Sequence, residues 1–278
     1  MKIHLLLIAV CAVLILSDLP LFTQDNPLDP GQNSSAIYLG PVAGYNRSMH
    51  SVTLASFAPP EKGENLCPTF DNGSSNGYHF GVFYEQFFGP KTGSKHSIIA
   101  RILYNTFPSS FSQIGDHYPS LVETTPGHFE TIISQTSHSL TVSYSTASMD
   151  IMYKFNVIGG LVLTGGPTFD FPLTKKLTQK YQIIDPLNVQ FKPIPGWKYE
   201  DNNRTIVVYD GDISADKGGK VASFRFGMKF GVQYEIITGT HIDFIPGLFY
   251  NLGLTNAADA ESWKVNAIQA SIDIRFAI

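Results

Sequence analysis

Val221–Ile237 reads VASFRFGMKFGVQYEII, and the reading of this stretch decides the fold. Ala222, Phe224, Phe226, Met228, Phe230, Val232, Tyr234 and Ile236 alternate with Ser223, Arg225, Gly227, Lys229, Gly231, Gln233 and Glu235. A strand turns successive side chains to opposite faces, so one face of this segment is apolar and the other polar or bare. If the apolar face looks inward, the chain is a soluble sandwich or a secreted barrel that binds an apolar ligand. If it looks outward, it meets lipid.

Composition leans toward lipid without settling the matter. Charged residues make up 15% of the 278 residues, against roughly 25% in soluble domains. Aromatics reach 13%, nearly all Phe and Tyr. A net charge of -4 and the lack of any Lys/Arg-rich patch argue against a nucleic-acid partner.

At the N-terminus Lys2 precedes the unbroken apolar run Leu5–Leu16, and a more polar exit follows to Gln24. That is the form of a secretory signal peptide, and the run is too short for a membrane helix, which needs about 20 residues. We read 1–24 as signal, 25–34 as a short N-terminal segment and 35–278 as one domain. Removing the signal removes Cys11 and leaves Cys67 alone, so no internal disulfide is expected.

No other apolar run is long enough for a membrane helix, so any spanning must be by strands. Eight candidates follow: 36–47, 78–88, 97–107, 139–154, 160–171, 221–237, 240–250 and 264–278. In the last, Ile268, Ala270, Ile272, Ile274, Phe276 and Ile278 oppose Gln269, Ser271, Asp273 and Arg275. The third is blurred, because Ile99 and Leu103 share a face with Arg101 and Asn105. The fourth changes phase: Leu140, Val142 and Tyr144 are even, whereas Met149, Ile151, Tyr153 and Phe155 are odd. A β-bulge near Ala147 would reconcile the halves.

The connections run long, short, long, short: about 30, 8, 30, 5, 50, 3 and 13 residues. An up-and-down outer-membrane barrel has this asymmetry, and Greek-key sandwiches do not require it. Polar positions are odd on both sides of the shortest connection, so paired numbers must sum to an even value, and a three-residue loop Ile237–Gly239 satisfies this. Within the longest connection, Tyr181–Phe191 and Thr205–Tyr209 read as a hairpin standing above the membrane.

The strands LGPVAGYN (Leu39–Asn46), GGPTFDF (Gly165–Phe171), FRFGMKFGVQYE (Phe224–Glu235) and the terminal ASIDIRFAI together resemble the outer-membrane β-barrel domain proteins of the PorT-like type. More distantly they resemble the eight-stranded transmembrane domain of outer-membrane protein A. The resemblance implies a bacterial outer-membrane location. Relatives of the second type often carry a peptidoglycan-binding domain after the barrel, and that activity is not carried over. Such barrels often end on an aromatic residue read by the barrel-insertion machinery; here Phe276 is third from the end.

The expected fold is therefore all-β: an eight-stranded antiparallel up-and-down transmembrane β-barrel. Eight strands enclose only enough space for side chains. The lumen candidates are Glu85, Arg101, Arg225, Lys229, Glu235, Asp243, Asp273 and Arg275, four acids and four bases that can pair internally. A salt-bridged plug is the structural reading; a proton or small-ion path is the functional one. Gly227, Gly231 and Gly247 on the same side would make room for the long cations. Phe224, Tyr234, Tyr104, Tyr250 and Trp263, near strand ends, would form interface girdles.

No H-E-x-x-H or P-loop occurs, and Gly73–Gly77 (GSSNG), although it has the spacing G-x-S-x-G, reads as loop composition. His117, His128 and His138, with Ser nearby, are the residues an outer-membrane lipid-modifying enzyme would use. We expect no enzyme, no cofactor and no metal. The expected partners are outer-membrane lipid and the insertion machinery, the expected state is a monomer, and the expected role is structural or surface-interacting through the long loops.

Overall fold

A computed structural model describes residues 35–55, 69–90, 94–125, 127–193, 195–214, 219–237, 242–259 and 262–277. The expected signal peptide, segment 25–34 and Cys67 lie outside the described residues. The strands are β1 (Ser35–Ala55), β2 (Thr69–Pro90), β3 (His96–Thr106), β4 (Ser109–Thr125), β5 (His128–Ile158) and β6 (Leu161–Asp185). They continue with β7 (Lys198–Glu200), β8 (Thr205–Asp212), β9 (Arg225–Tyr234), β10 (Ile236–Ile237), β11 (Ile242–Gly253) and β12 (Lys264–Ala277).

Eight of them form a ring, β1–β2–β3–β5–β6–β9–β11–β12, and β12 pairs back onto β1. Every pairing is antiparallel. Arg47 of β1 stands opposite Asn76 of β2 on one side and Ile268 of β12 on the other. Closure removes the unpaired edges that an open sheet would expose.

In the lower half of the ring the opening stretch faces as lipid requires. Arg225, Lys229 and Gln233 are buried, whereas Phe230, Val232 and Tyr234 are exposed on the outside. The same holds on β6, with Leu161 and Leu163 outside and Val162, Thr164, Thr168 and Asp170 inside. The apolar face is outward, which overturns the soluble-ligand barrel.

The upper half has the reverse pattern. On β5 the even positions face inward from Ser134 to Lys154. Below, they are Thr146, Ser148, Asp150, Met152 and Lys154; above, Leu140, Val142 and Tyr144. On β12 and the residue before it, the inward residues run from Trp263, Val265 and Ala267 above to Gln269, Ser271, Asp273 and Arg275 below. On β1, Val52 and Leu54 lie inside above Asn46 and Ser48. The apolar side chains thus change faces while the backbone keeps its register. The phase change in the fourth predicted strand is a change of surroundings, from lipid to water, and no bulge lies at Ala147. The bulge sits across the ladder on β6: Ser145 pairs with Thr174 and Thr146 with Pro172, leaving Leu173 as the extra residue.

Above the ring, strands extend out of the membrane and recruit others. β4 pairs along β5 from Ser109↔Val142 to Thr125↔His128. It fills what the sequence predicts as a loop, because Pro119 and scattered polar residues hide its alternation. β8 pairs with the upper part of β6, Gln182↔Thr205 to Lys176↔Asp212, as the predicted hairpin, with β7 on its far edge. Between β10 and β11 the pairs Ile236↔Phe244 and Ile237↔Asp243 have even sums, as polarity demands. Ile237 is itself paired, which the expected Ile237–Gly239 loop does not allow, and 238–241 lie outside the described residues.

Candidate functional site: the lumen and its cap

Eleven charged side chains are buried among the described residues: six carboxylates (Glu85, Asp150, Asp170, Glu235, Asp243, Asp273) and five cations (Arg101, Lys154, Arg225, Lys229, Arg275). Period two places them. Ten lie on the inward faces of strands and Glu235 between β9 and β10, and closure brings strands far apart in sequence across a narrow lumen.

They form three levels. At the lower mouth Arg275 binds Asp243 (2.9 Å), Glu235 (3.1 Å) and Glu85 (3.3 Å). Lys154 binds Glu85 at 2.6 Å and also Glu235. Ser97 donates to Glu85 at 2.7 Å. The Arg275 guanidinium lies 4.5 Å from the Tyr38 ring centre. At mid-height Arg101 binds Asp273 at 2.5 Å, and Gln233 donates to the same carboxylate at 3.0 Å. Here the lumen is partly apolar, for Val42, Phe83, Ile99, Leu103, Met152 and Phe249 pack together. That cluster explains the blurred third strand: Ile99 and Leu103 belong inside.

At the upper level Lys229 binds Asp150 (2.5 Å), which accepts from Thr168 (2.7 Å), while Asp170 accepts from Ser148 (2.6 Å) and faces Arg225 at 3.7 Å. Beside them Asn46 accepts from Gln269 (2.8 Å) and shares a 2.7 Å hydrogen bond with His79. Buried ions remain tolerable when their charges and lone pairs are met in this way.

All eight lumen candidates face inward. Asp150, Lys154 and Asp170 are additional members. Their signal was present, since Asp150 and Lys154 alternate with Met149, Ile151, Tyr153 and Phe155. The glycine reading needs correction. A Cβ at Gly231 would come within 2.2 Å of the Phe249 ring, and one at Gly247 within 2.7 Å. These glycines admit Phe249, and the Arg101 guanidinium rests 4.7 Å from that ring's centre.

Over the charges lies an apolar cap: Val52, Leu54, Phe70, Phe107, Phe111, Leu140, Val142, Tyr144, Leu177, Ile213, Ala257, Ala258, Trp263, Val265 and Ala267. Trp263 is 2% exposed and belongs here, so it is no girdle residue. Its indole N–H donates to His50 Nδ1 (3.2 Å), and His50 Nε2 lies 3.0 Å from the Phe107 carbonyl oxygen. Phe224, Tyr104 and Tyr250 stand on the outer face near the upper end and Tyr234 near the lower end.

A family model described as an outer membrane protein beta-barrel domain matches residues 22–259. The chain belongs to this family. The ring therefore spans a bacterial outer membrane, and its long connections mark the extracellular end. No curated protein sequence matches the chain. Among solved structures it is similar to the attachment invasion locus protein Ail of Yersinia pestis (8% identity, 86% of this chain and 99% of that one, TM-score 0.28). Neisserial surface protein A is similar too (10%, 86% and 97%, 0.34), as is the NalP translocator domain of Neisseria meningitidis (11%, 88% and 90%, 0.26).

The three histidines considered for catalysis are spread along the β4–β5 ribbon of this outer-membrane barrel. His138 stands opposite Gln113, His117 opposite Gln135 and His128 opposite Thr125 at the tip. His138 stacks on Tyr181 with ring centres 4.3 Å apart. His128 lies 3.7 Å from Glu130 in water. Across β8, Glu200 of β7 accepts a hydrogen bond from Lys180 of β6 (2.6 Å), with Lys198 at 3.4 Å, and these hold its carboxyl below the usual value.

Proposed function

We propose that this outer-membrane barrel is a sealed wall element that carries a stiff surface platform, with a structural or surface-interaction role and no catalysis. One observation supports the reading above others: the ion-paired lumen is overlain by an apolar core built from the same strands. A water-filled channel would need a polar path through that level. The chain continues outward as paired strands, and the platform shows Ile114, Phe129 and Ile133 to water at 63%, 54% and 60% exposure. Exposed apolar groups of this kind suit contact with another surface. The protein acts as a monomer in this reading and enters the membrane through the insertion machinery.

The test is conductance. Purified barrel in planar bilayers is expected to give no steady single-channel current, while its gel mobility shifts on heating as a folded barrel's does. A reproducible ohmic conductance from the folded protein would overturn the sealed-wall reading and favour an ion path.

A further inference from the structure

We infer that Arg47 is a headgroup site for a phosphorylated outer-leaflet lipid. Arg47 is exposed on the outer face of β1. Its Nη1 donates to Asn76 Oδ1 and its Nη2 to Ser74 Oγ, each at 2.7 Å, both acceptors on β2. Two side chains thus hold the guanidinium in one pose. Three of its five N–H groups remain unused by these bonds. No carboxylate among the described residues pairs with it.

Its height is that of a headgroup. From Ile37 to Arg47 the strand rises about 33 Å at about 3.3 Å per residue, or about 25 Å vertically at a tilt near 40°, which matches the lipid-facing band of an outer-membrane barrel. The next outward residue below Arg47 is Tyr45, which stands opposite Tyr78. The Tyr78 ring stacks on Phe80 (6.3 Å, 10°), and Phe80 packs against Tyr104 at 5.4 Å. A fixed cation thus tops an aromatic wall, and the wall suits the first methylenes of an acyl chain below a headgroup.

Phosphate is the ligand this chemistry selects, because the planar fork of Arg binds phosphate oxygens in pairs. Two other outward cations among the described residues are engaged or faced by acid. Lys264 donates to the Leu254 carbonyl at 2.5 Å, and Lys176 stands opposite Asp212. This site does not depend on whether the lumen is sealed.

The experiment uses the barrel in nanodiscs doped with a bis-phosphorylated glucosamine glycolipid or its dephosphorylated form, with retained lipid counted by native mass spectrometry. The phosphorylated lipid is expected to be retained about tenfold better, and Arg47→Gln to abolish that preference, with an intermediate result for Arg47→Lys, which keeps charge but loses the fork. Tyr78→Ala is expected to lower both lipids alike. Heat-shifted gel mobility verifies folding of each variant, and Arg47→Lys supplies the test if Arg47→Gln does not fold. An unchanged preference in Arg47→Gln overturns the site. So does an equal loss in Lys198→Gln, which would mean diffuse surface charge. Displacement of the lipid by millimolar inorganic phosphate overturns the lipid as the ligand.

Discussion

The lower and upper halves of this barrel are built from the same strands with opposite chemistry. Below, Asp150 and Lys154 of β5 point into the lumen while Tyr153 and Phe155 point out. Above, Leu140, Val142 and Tyr144 of the same strand point in. The backbone alternates identically in both, so the difference lies only in what surrounds the wall. In lipid, apolar side chains lose nothing by facing out, and polar ones must be satisfied inside. In water, burial of apolar area again drives packing inward. Ionic pairing organises the lower half and hydrophobic packing the upper half.

That comparison can be broken by substitution. The largest effect is expected from Arg275→Ala, which leaves Glu85, Glu235 and Asp243 short of a cation at the lower mouth. Removal of one partner from a buried network costs about 3–5 kcal/mol, to be read from urea titration of the barrel folded in lipid vesicles. A loss below about 1 kcal/mol would mean that water already screens this level.

Next come two leucines on opposite sides of the contrast. Leu140→Ala, in the cap, is expected to cost about 2–5 kcal/mol in the same titration. Leu163→Ala, on the lipid face at 48% exposure, should cost clearly less, because lipid fills the space it leaves. Equal losses would erase the distinction between the halves. Met228→Arg probes the wall from outside: a cation on the lipid face at mid-membrane costs about 2–4 kcal/mol. Near-normal insertion and stability of that variant would contradict the outward direction of Met228.

The smallest effect concerns pH. Glu200 has a folded-state pKa below its ordinary value of about 4.3, so its contribution is fully present above that value. It is lost as pH falls through the lower folded value. Amide protection of the β7–β8 hairpin should therefore drop on acidification below about pH 4, with no change between pH 6 and 8. An unchanged hairpin at pH 3 would show that the Lys180 contact does not support it.

Much of the ring was legible because a half-buried strand writes its two faces directly into the sequence. Every barrel strand was located, and eight buried charges were identified from face alone. β4 was missed for a physical reason: its partner β5 supplies the pairing, and its own residues show no period. At Ala147 the change of hydrophobic phase reflects the solvent outside the wall and not a bulge in β5. Sequence shows which side chains share a face, but not which solvent that face meets. Trp263 illustrates the same ambiguity, since an aromatic near a strand end suits either a girdle or a cap.

By itself, then, the chain VASFRFGMKFGVQYEII and its seven companions determined an eight-stranded antiparallel wall with one greasy face, because period two and alternating loop lengths are local properties. Tertiary closure decided which charges meet. Arg101 finds Asp273, 172 residues away, and Arg275 finds Glu85, 190 residues away. Only the closed ring sets the two members of each pair at a common height across the lumen, and only the strands' extension beyond the lipid turns their apolar residues inward to close it.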